Sequence, residues 1–152
     1  MKPSRKSFLS ELHYILTTRQ RKTIDDLPYP RAAVLVPFFQ KGEACHLLFT
    51  KRSDQVKHHK GQISFPGGVF DREDESLAQT ALRESFEEVG LRPSDVTLIG
   101  SLDDIITTTK FIVTPFVGLF PYPYPFRVSE VEIAELIEVP LSCLLKRDAL
   151  GQ

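Results

Sequence analysis

Two apolar runs in the first third of the chain are separated by a short polar segment. The runs cover residues 32–39 and 45–50, and the segment between them reads Gln-Lys-Gly-Glu. Apolar runs of this length on either side of a glycine-containing connection predict a β-hairpin. Pro37 lies inside the first run and has no N–H to donate, so it predicts that this strand lies at an edge or carries a bulge.

Later parts of the chain predict further strands and an N-terminal helix. Strands are predicted at 63–65, 96–102 and 111–120. A helix is predicted at 7–19, where apolar residues recur at helical spacing, and residues 25–30 have the composition of a linker. The alternation of strand and helix patterns predicts a mixed, α+β fold.

A second helix is predicted at 76–89, directly after a loop that contains Gly67 and Gly68. Asp74 or Ser76 is the expected N-cap, with Gln79 at capping-box spacing from Ser76. Gly90 is the expected C-terminal stop, because glycine adopts the left-handed conformation at little cost. The apolar positions of this helix predict one face that packs on a core.

Three glutamates of this helix, Glu84, Glu87 and Glu88, fall at positions i, i+3 and i+4, so their carboxylates share one strip of surface. Their mutual repulsion is relieved by a cation, and oxygen ligands suit Mg²⁺ or Mn²⁺. In isolation such a pattern is typical of a solvated helix face. Arg83 beside the glutamates and the glycine loop ahead of them favour a metal-assisted phosphate site instead.

Length and composition narrow the class of protein. The chain has 152 residues, of which 41% are hydrophobic and 26% charged, and its formal net charge is −1. The length favours one domain, and the balanced charge gives no general attraction to nucleic acid or to an anionic membrane. No apolar run approaches 18 residues and no signal peptide is recognisable, so a cytoplasmic protein is expected. Two cysteines, Cys45 and Cys143, have no metal-ligand spacing.

The stretch around the second helix resembles the Nudix box, G-x5-E-x7-R-E-U-x-E-E-x-G-U, in which U is an apolar residue. The residues that fall on the pattern are Glu75, Arg83, Glu84, Glu87, Glu88, Gly90 and Leu91. Ser85 departs from it at an apolar position, and Gly68 lies one residue earlier than the first glycine of the pattern. The resemblance implies the α/β/α sandwich of the Nudix hydrolases, with a mixed β-sheet and the loop-helix that carries the metal ligands.

Residues upstream resemble the signature of the coenzyme A pyrophosphatase branch of that family. It reads Leu47-Leu48-Phe49-Thr50-Lys51-Arg52-Ser53 and, further on, His59-x-Gly61-Gln62-x-Ser64-Phe65-Pro66-Gly67-Gly68. Lys57 stands where arginine is expected, which keeps the charge but loses a bidentate phosphate contact. The substrate-binding residues that the resemblance implies are Arg52, Ser53, Lys57, His59, Gly61, Gln62, Gly67 and Gly68.

The implied reaction is hydrolysis of coenzyme A or its derivatives to adenosine 3',5'-bisphosphate and (acyl-)4'-phosphopantetheine. Divalent ions on the metal ligands Glu84, Glu87 and Glu88 would neutralise the diphosphate and lower the pKa of a water. Arg83 would orient one of these carboxylates. A loop glutamate is expected to approach the metal site as proton acceptor, and of Glu130, Glu132 and Glu135 the sequence-based choice is Glu130.

Other functions stay open at this point. Another Nudix substrate, such as NADH, ADP-ribose or a nucleoside triphosphate, would use the same metal ligands with a different pocket. A non-catalytic module that binds a nucleotide would use the same fold, although the intact glutamates argue against it. Binding of nucleic acid is the weakest alternative, because no recognition motif accompanies the balanced charge.

The expected organisation is an N-terminal helix and linker, residues 1–30, packed on a Nudix domain of residues 31–152. In the family another strand and a closing helix usually follow the segment 139–145, and the sequence offers no such elements. Their absence would expose apolar surface, so a homodimer is a further expectation.

Overall fold

The structure of the protein is a computed structural model, which describes residues 5–57 and 60–144. The helices are α1 (Arg5–Thr18), α2 (Leu77–Val89) and α3 (Leu141–Leu144), with a 3₁₀ turn at Pro93–Asp95. The strands are β1 (Arg31–Lys41), β2 (Ala44–Arg52), β3 (Ile63–Ser64), β4 (Gly67–Val69), β5 (Thr97–Ser101), β6 (Ile105–Ile106), β7 (Ile112–Leu119) and β8 (Ile133–Pro140). They form one mixed sheet, in which β1 and β7 are parallel.

The predicted hairpin is confirmed. Strands β1 and β2 pair antiparallel from Phe38 opposite Leu47 to Lys41 opposite Ala44, and a two-residue turn joins them. Gly42 in that turn has φ 64°, a left-handed conformation that glycine adopts without a side-chain clash. The apolar runs thus become two neighbouring strands in the middle of the sheet.

Strands β1 and β2 diverge beyond the hairpin, and β3 and β4 fill the space between them. On this side β1 pairs with β2 at 38–41 and with β4 at 32–34, while β7 pairs along its other side. Pro37 lies where the partner changes from β4 to β2, so its missing N–H breaks no ladder. The prediction of an edge strand was therefore wrong: β1 is a central strand that tolerates proline at this position.

The two faces of the sheet are covered by different helices. On one face α2 and the segment after it bury Ala81, Val89 and Leu91 against Leu35 and Leu48 of the sheet. On the other face, Leu16 of α1 belongs to a cluster with residues of four strands: Val36, Phe38, Leu47, Ile99 and Val117. The result is an α/β/α arrangement, which confirms the α+β sandwich that the sequence predicts.

Asp104 ties the segment after α1 to the sheet. Its residue is 8% exposed, and its carboxylate accepts hydrogen bonds from the Thr114 hydroxyl at 2.6 Å and the Ile24 N–H at 3.0 Å. Arg21 at 2.6 Å and Arg31 at 3.5 Å complete the set of partners. Burial alone would raise the pKa of Asp104, but the donors from Thr114, Ile24 and Arg21 outweigh it and lower the pKa. The buried charge is well compensated.

Three elements differ from the sequence-based reading. Residues 67–69, expected as a glycine loop, form β4 on β1, and the short β6 lies on β7. Strand β8 was missed: it pairs with β2 along seven positions, from His46 opposite Pro140 to Arg52 opposite Ile133. Residues 145–152, which follow the position where the family usually adds a strand and a closing helix, lie outside the described part of the chain. Within the described residues no helix has the length and apolarity needed to cross a membrane.

Candidate active site

The predicted second helix forms, and its two ends are capped by the expected residues. Ser76 is the N-cap, and its hydroxyl accepts a hydrogen bond from the Gln79 N–H at 3.1 Å. The Gln79 side chain accepts from the N–H of Glu75, one residue before the N-cap. At the other end Gly90 has φ 76° and donates its N–H to the Phe86 carbonyl. These caps fix where the glutamate strip of α2 begins and ends.

The paired glycines bring β4 into close contact with both β1 and α2. A Cβ on Gly67 would lie 2.3 Å from the Ala33 carbonyl oxygen. A Cβ on Gly68 would lie 2.4 Å from the carboxyl carbon of Glu84. Both distances are far below a van der Waals contact, so the absence of a side chain allows Gly67 to lie against β1 and Gly68 to lie against Glu84.

Arg83 is anchored by a carboxylate that the sequence did not single out as its partner. Asp74 is 8% exposed and accepts from Nε of Arg83 at 2.8 Å and from Nη2 at 3.0 Å. The Thr80 hydroxyl at 2.8 Å and the Asp71 N–H at 3.0 Å also donate to Asp74. The hydrogen bonds from Arg83 lower the pKa of Asp74 far below its usual value despite burial, and they raise the pKa of Arg83. Arg83 is thereby fixed in one orientation.

The same guanidinium reaches two glutamates of the strip. Nη1 of Arg83 donates to Glu84 at 2.9 Å and lies 3.4 Å from both carboxylate oxygens of Glu87. Burial raises the pKa of Glu84 above its ordinary value, with further contributions from the charges of Glu87 and Glu132, while Arg83 acts in the opposite direction. Arg83 thus orients Glu84 and partly neutralises the strip.

Glu88 is the buried member of the strip. Its residue is 6% exposed, and its carboxylate accepts one hydrogen bond, from the Gly67 N–H at 3.1 Å. Burial raises the pKa of Glu88 to about 8, and the negative charges of Glu84 and Glu132 add to this effect, while the Gly67 N–H and the charge of Arg52 oppose it. The ionised form of Glu88 is therefore disfavoured in this environment, and a bound cation would stabilise it.

The loop glutamate that acts electrostatically on this cluster is Glu132. Its charge raises the pKa of both Glu84 and Glu88. Glu130, the sequence-based choice, is exposed and lies two residues earlier in the same loop. Both loop glutamates are exposed, and it is the charge of Glu132 that acts on the carboxylates of α2.

The end of β2 holds this loop in place. The Ser53 N–H donates to the Glu132 carbonyl at 2.9 Å, and the Ser53 hydroxyl donates to the Val131 carbonyl. Ser53 is 5% exposed, so it acts as a clamp on the loop backbone in this structure. Across β2, the Arg52 N–H donates to the Gln62 carbonyl at 2.9 Å and the Gly61 N–H donates to the Arg52 carbonyl at 3.1 Å. Lys57 is exposed, and His59 lies outside the described residues.

The donor set fits a divalent cation. Four carboxylates, those of Glu84, Glu87, Glu88 and Glu132, interact with one another here, and a diphosphate would add further negative charge. Carboxylate oxygens are the ligands that Mg²⁺ and Mn²⁺ prefer. Among residues 5–57 and 60–144, no three acidic, histidine or cysteine side chains already converge in a metal-binding geometry. Binding of a cation would therefore require some of these carboxylates to adopt other side-chain conformations.

Ser85, which departs from the apolar position of the Nudix pattern, is compatible with its environment. It is fully buried, and its hydroxyl donates to the Ala81 carbonyl one helical turn earlier at 2.7 Å. A small side chain with its own internal partner thus replaces an apolar one without an unsatisfied polar group.

Two cavities accompany the described residues of the site and core. One, lined by Leu9, Phe39 and Cys45 among others, has a volume of about 20 Å³, enough for a single water. The other is an open groove of about 760 Å³ at the C-terminal end of α2, and Glu87 is one of the residues that line it. Of these two, the groove has the size of a ligand site.

Comparison with known proteins decides the family. The NUDIX domain family matches residues 28–136, which include the whole glutamate strip and the loop with Glu132. The chain belongs to the Nudix family. It is a Nudix hydrolase, an enzyme that acts on a nucleoside diphosphate derivative. Nudix hydrolases generally use divalent metal ions such as Mg²⁺ or Mn²⁺.

Relatives and solved structures agree with this assignment. An uncharacterized Nudix hydrolase, NudL, of Enterobacter sp. (strain 638) is 41% identical over 139 residues, which are 91% of this chain and 70% of the relative. The C. elegans Ap4A hydrolase in a binary complex has a TM-score of 0.65 at 18% identity, covering 80% of this chain and 89% of its own. The NUDIX domain of Shewanella oneidensis NrtR, complexed with ADP ribose, has a TM-score of 0.59 at 18% identity, covering 85% and 79%. At such identities the two structures show the fold alone.

Proposed function

We propose that this Nudix hydrolase cleaves the diphosphate linkage of coenzyme A or its derivatives. The observation that supports this substrate best is the position of the coenzyme A signature around the glutamate strip. Gly67 donates to Glu88, Gly68 lies against Glu84, and Arg52 acts on the pKa of Glu88. These three residues of the segment that resembles the coenzyme A branch interact with the proposed metal ligands, which supports a coenzyme A substrate.

The chain's own residues have distinct roles in this proposal. Glu84, Glu87 and Glu88 would hold Mg²⁺ or Mn²⁺, and Arg83, itself fixed by Asp74, would orient Glu84. When bound, such an ion supplies positive charge opposite the diphosphate and makes a water more acidic. Arg52 would contact a phosphate or the linker of the substrate.

A loop glutamate is the proposed proton acceptor. Glu132 is the better candidate, because its charge acts on Glu84 and Glu88 and because Ser53 clamps its backbone to the end of β2. Glu130 remains the alternative from the sequence. Among the residues named at first as substrate-binding, Ser53 would act by positioning this loop rather than by touching substrate.

The test is a comparison of kcat/KM for coenzyme A, an acyl derivative, NADH, ADP-ribose and a nucleoside triphosphate, in Mg²⁺ and in Mn²⁺. The expected result is a clear preference for the compounds that carry the pantetheine arm. Preference for a compound without that arm would contradict the coenzyme A assignment and leave the Nudix chemistry in place. Tight binding of coenzyme A without turnover in either metal would favour the non-catalytic alternative.

Arg52→Ala sharpens this test, with Arg19→Ala as the matched control on the opposite face of the sheet. If Arg52 contacts coenzyme A, the variant loses selectivity between coenzyme A and ADP-ribose, since a charge-assisted contact contributes about 1.5 to 3 kcal/mol. Equal losses for both substrates would show instead that Arg52 only supports the loop. A cytoplasmic location and a homodimer stay predictions from the sequence.

A further inference from the structure

The groove at the C-terminal end of α2 is formed by three segments: the last turn of α2, the 3₁₀ turn and residues 124–129. The residues on which its chemistry depends are Phe86, Glu87, Arg92, Tyr124 and Arg127. Its volume of about 760 Å³ lies within the range of small-molecule sites. The groove is adjacent to the glutamate strip of α2, because Glu87 belongs to both.

Two arginines supply positive charge in this groove. Arg92 and Arg127 are exposed, and neither forms an ion pair with a carboxylate in the described parts of the chain. The acidic residues nearby already have other partners: Asp95 accepts from the Tyr124 hydroxyl at 2.6 Å, and Glu87 lies 3.4 Å from Arg83. Two guanidinium groups are therefore available to an anionic ligand such as a phosphate.

The same groove offers an aromatic surface. Phe86 is 49% exposed, which is unusual for a large apolar side chain on a helix that packs against a sheet. Tyr124 is held by Asp95 and by the Arg92 N–H, which donates to its hydroxyl at 3.0 Å. A ring of a nucleobase can stack on such a surface, whichever base it is.

The groove is held in a fixed position relative to the glutamates. The Arg127 N–H donates to the Val89 carbonyl at 2.9 Å, and the Ser129 N–H donates to the Glu88 carbonyl at 2.8 Å. Gly90 permits this approach, since a Cβ there would lie 2.6 Å from the Arg127 nitrogen. The loop that carries Arg127 thus caps α2 and continues to Glu132.

We propose that this groove binds the phosphoadenosine end of the substrate, with Arg92 and Arg127 on its phosphomonoester and Phe86 against its base. The proposal rests on the proposed function, because the substrate must carry a phosphate separate from the diphosphate that is cleaved. A structural role for the arginines is the competing explanation, since positive side chains near a helix C-terminus stabilise the helix. That role would affect thermal stability and leave ligand binding unchanged.

Isothermal titration with adenosine 3',5'-bisphosphate and with adenosine 5'-monophosphate, both in Mg²⁺, tests the groove directly. The double variant Arg92→Ala and Arg127→Ala should weaken binding of the bisphosphate by about ten-fold or more and that of the monophosphate far less. Phe86→Ala should weaken binding of both nucleotides. A double variant with Arg92→Ala and Arg127→Lys should bind the bisphosphate more tightly than the double alanine variant does. Arg19→Ala, which removes one charge on the opposite face of the sheet, should change neither.

The outcomes separate this proposal from the proposed function. Unchanged affinity for the bisphosphate in the double variant, equal losses for both nucleotides, or no binding of the bisphosphate to the unaltered protein would overturn the groove assignment. If coenzyme A is hydrolysed under any of these results, only the groove proposal fails. If the unaltered protein cleaves no coenzyme A but binds the bisphosphate through the two arginines, only the proposed function fails.

Discussion

Asp104 and Glu88 are carboxylates of similar low exposure, but Asp104 is surrounded by positive charge and Glu88 mainly by negative charge. Asp104 is 8% exposed and Glu88 is 6% exposed. Asp104 has donors from Arg21, Arg31, Thr114 and the Ile24 N–H, and its pKa is lowered. Glu88 has one N–H donor, faces other carboxylates, and has its pKa raised to about 8.

The difference shows which buried charge the fold compensates by itself. A buried carboxylate with several donors and a cationic partner stabilises a structure, whereas one surrounded by like charge destabilises it until a cation binds. By this criterion we expect Asp104 to be structural, and Glu88 to serve as a metal ligand, because burial and the charges of Glu84 and Glu132 outweigh the charge of Arg52. Accessibility alone would not distinguish them.

Replacing Glu88 should give the largest effect on activity. Glu88→Gln keeps an oxygen that can accept from Gly67 but removes the charge, so we expect kcat to fall by roughly 10²-fold or more. Glu87→Gln should behave in the same way. The measurement is kcat at saturating substrate and metal, alongside circular dichroism to show that the variant is folded. A folded Glu88→Gln protein with near-normal kcat would remove this residue from the mechanism.

Thermal shifts provide the control for that variant. Mg²⁺ should raise the Tm of the unaltered protein, because a ligand that binds only the folded state stabilises it. It should raise the Tm of Glu88→Gln much less. Equal shifts in the two proteins would mean that the cation binds elsewhere.

Replacing Asp104 should affect stability and leave chemistry intact. Asp104→Asn loses charge-assisted hydrogen bonds, which we expect to cost about 1 to 3 kcal/mol of unfolding free energy at pH 7, with kcat unchanged. Because the folded pKa of Asp104 is lowered from its ordinary 3.8, its contribution is complete above that pH. It disappears as the pH falls below 3.8 through the folded pKa.

Urea unfolding of both proteins at pH 7 and at decreasing pH below 4 measures this difference. The gap between the unaltered protein and Asp104→Asn should shrink on acidification. A gap that stays constant, or that widens as the pH falls, would contradict the assignment of a lowered pKa to Asp104.

The smallest expected effect separates the two loop glutamates. Glu132→Gln should lower kcat by about ten-fold, which is less than the roughly 10²-fold or more typical of a general base, because a metal would also activate the water. Glu130→Gln should have little effect, and it serves as the matched control in the same loop. If Glu130→Gln proved the more damaging change, the sequence-based choice would be right and the reading of Glu132 from its electrostatic contacts would be wrong.

Local patterns in the sequence predicted the hairpin, the second helix and its caps, because each depends on neighbouring residues. Ser76, Gly90 and Gly42 specify their conformations through short-range hydrogen bonds and backbone freedom. The spacing of Glu84, Glu87 and Glu88 likewise follows from the helix alone. The family resemblance added the upstream substrate-binding residues and the loop glutamate that are expected to act with these carboxylates.

Features that depend on distant pairing were not predictable in this way. The central position of Pro37 results from the divergence of β1 and β2, which no local pattern reveals. The ion pair of Arg83 with Asp74 joins residues 9 positions apart in sequence, and the effect of the Glu132 charge on the pKa of Glu88 joins residues 44 positions apart. The sequence shows Asp74 before the helix and Glu132 in the loop among several acidic residues, and only the fold selects these two.

The absence of side chains at Gly67 and Gly68 has a consequence for engineering this enzyme. Any added methyl group there would collide with the Ala33 carbonyl or with the Glu84 carboxyl group. A library aimed at new substrates should therefore keep β4 constant and randomise Pro125 and Arg127, which are the exposed residues of the segment 124–129. Selectivity would then change through residues of the exposed groove, and every variant would keep the same spacing between β4 and α2.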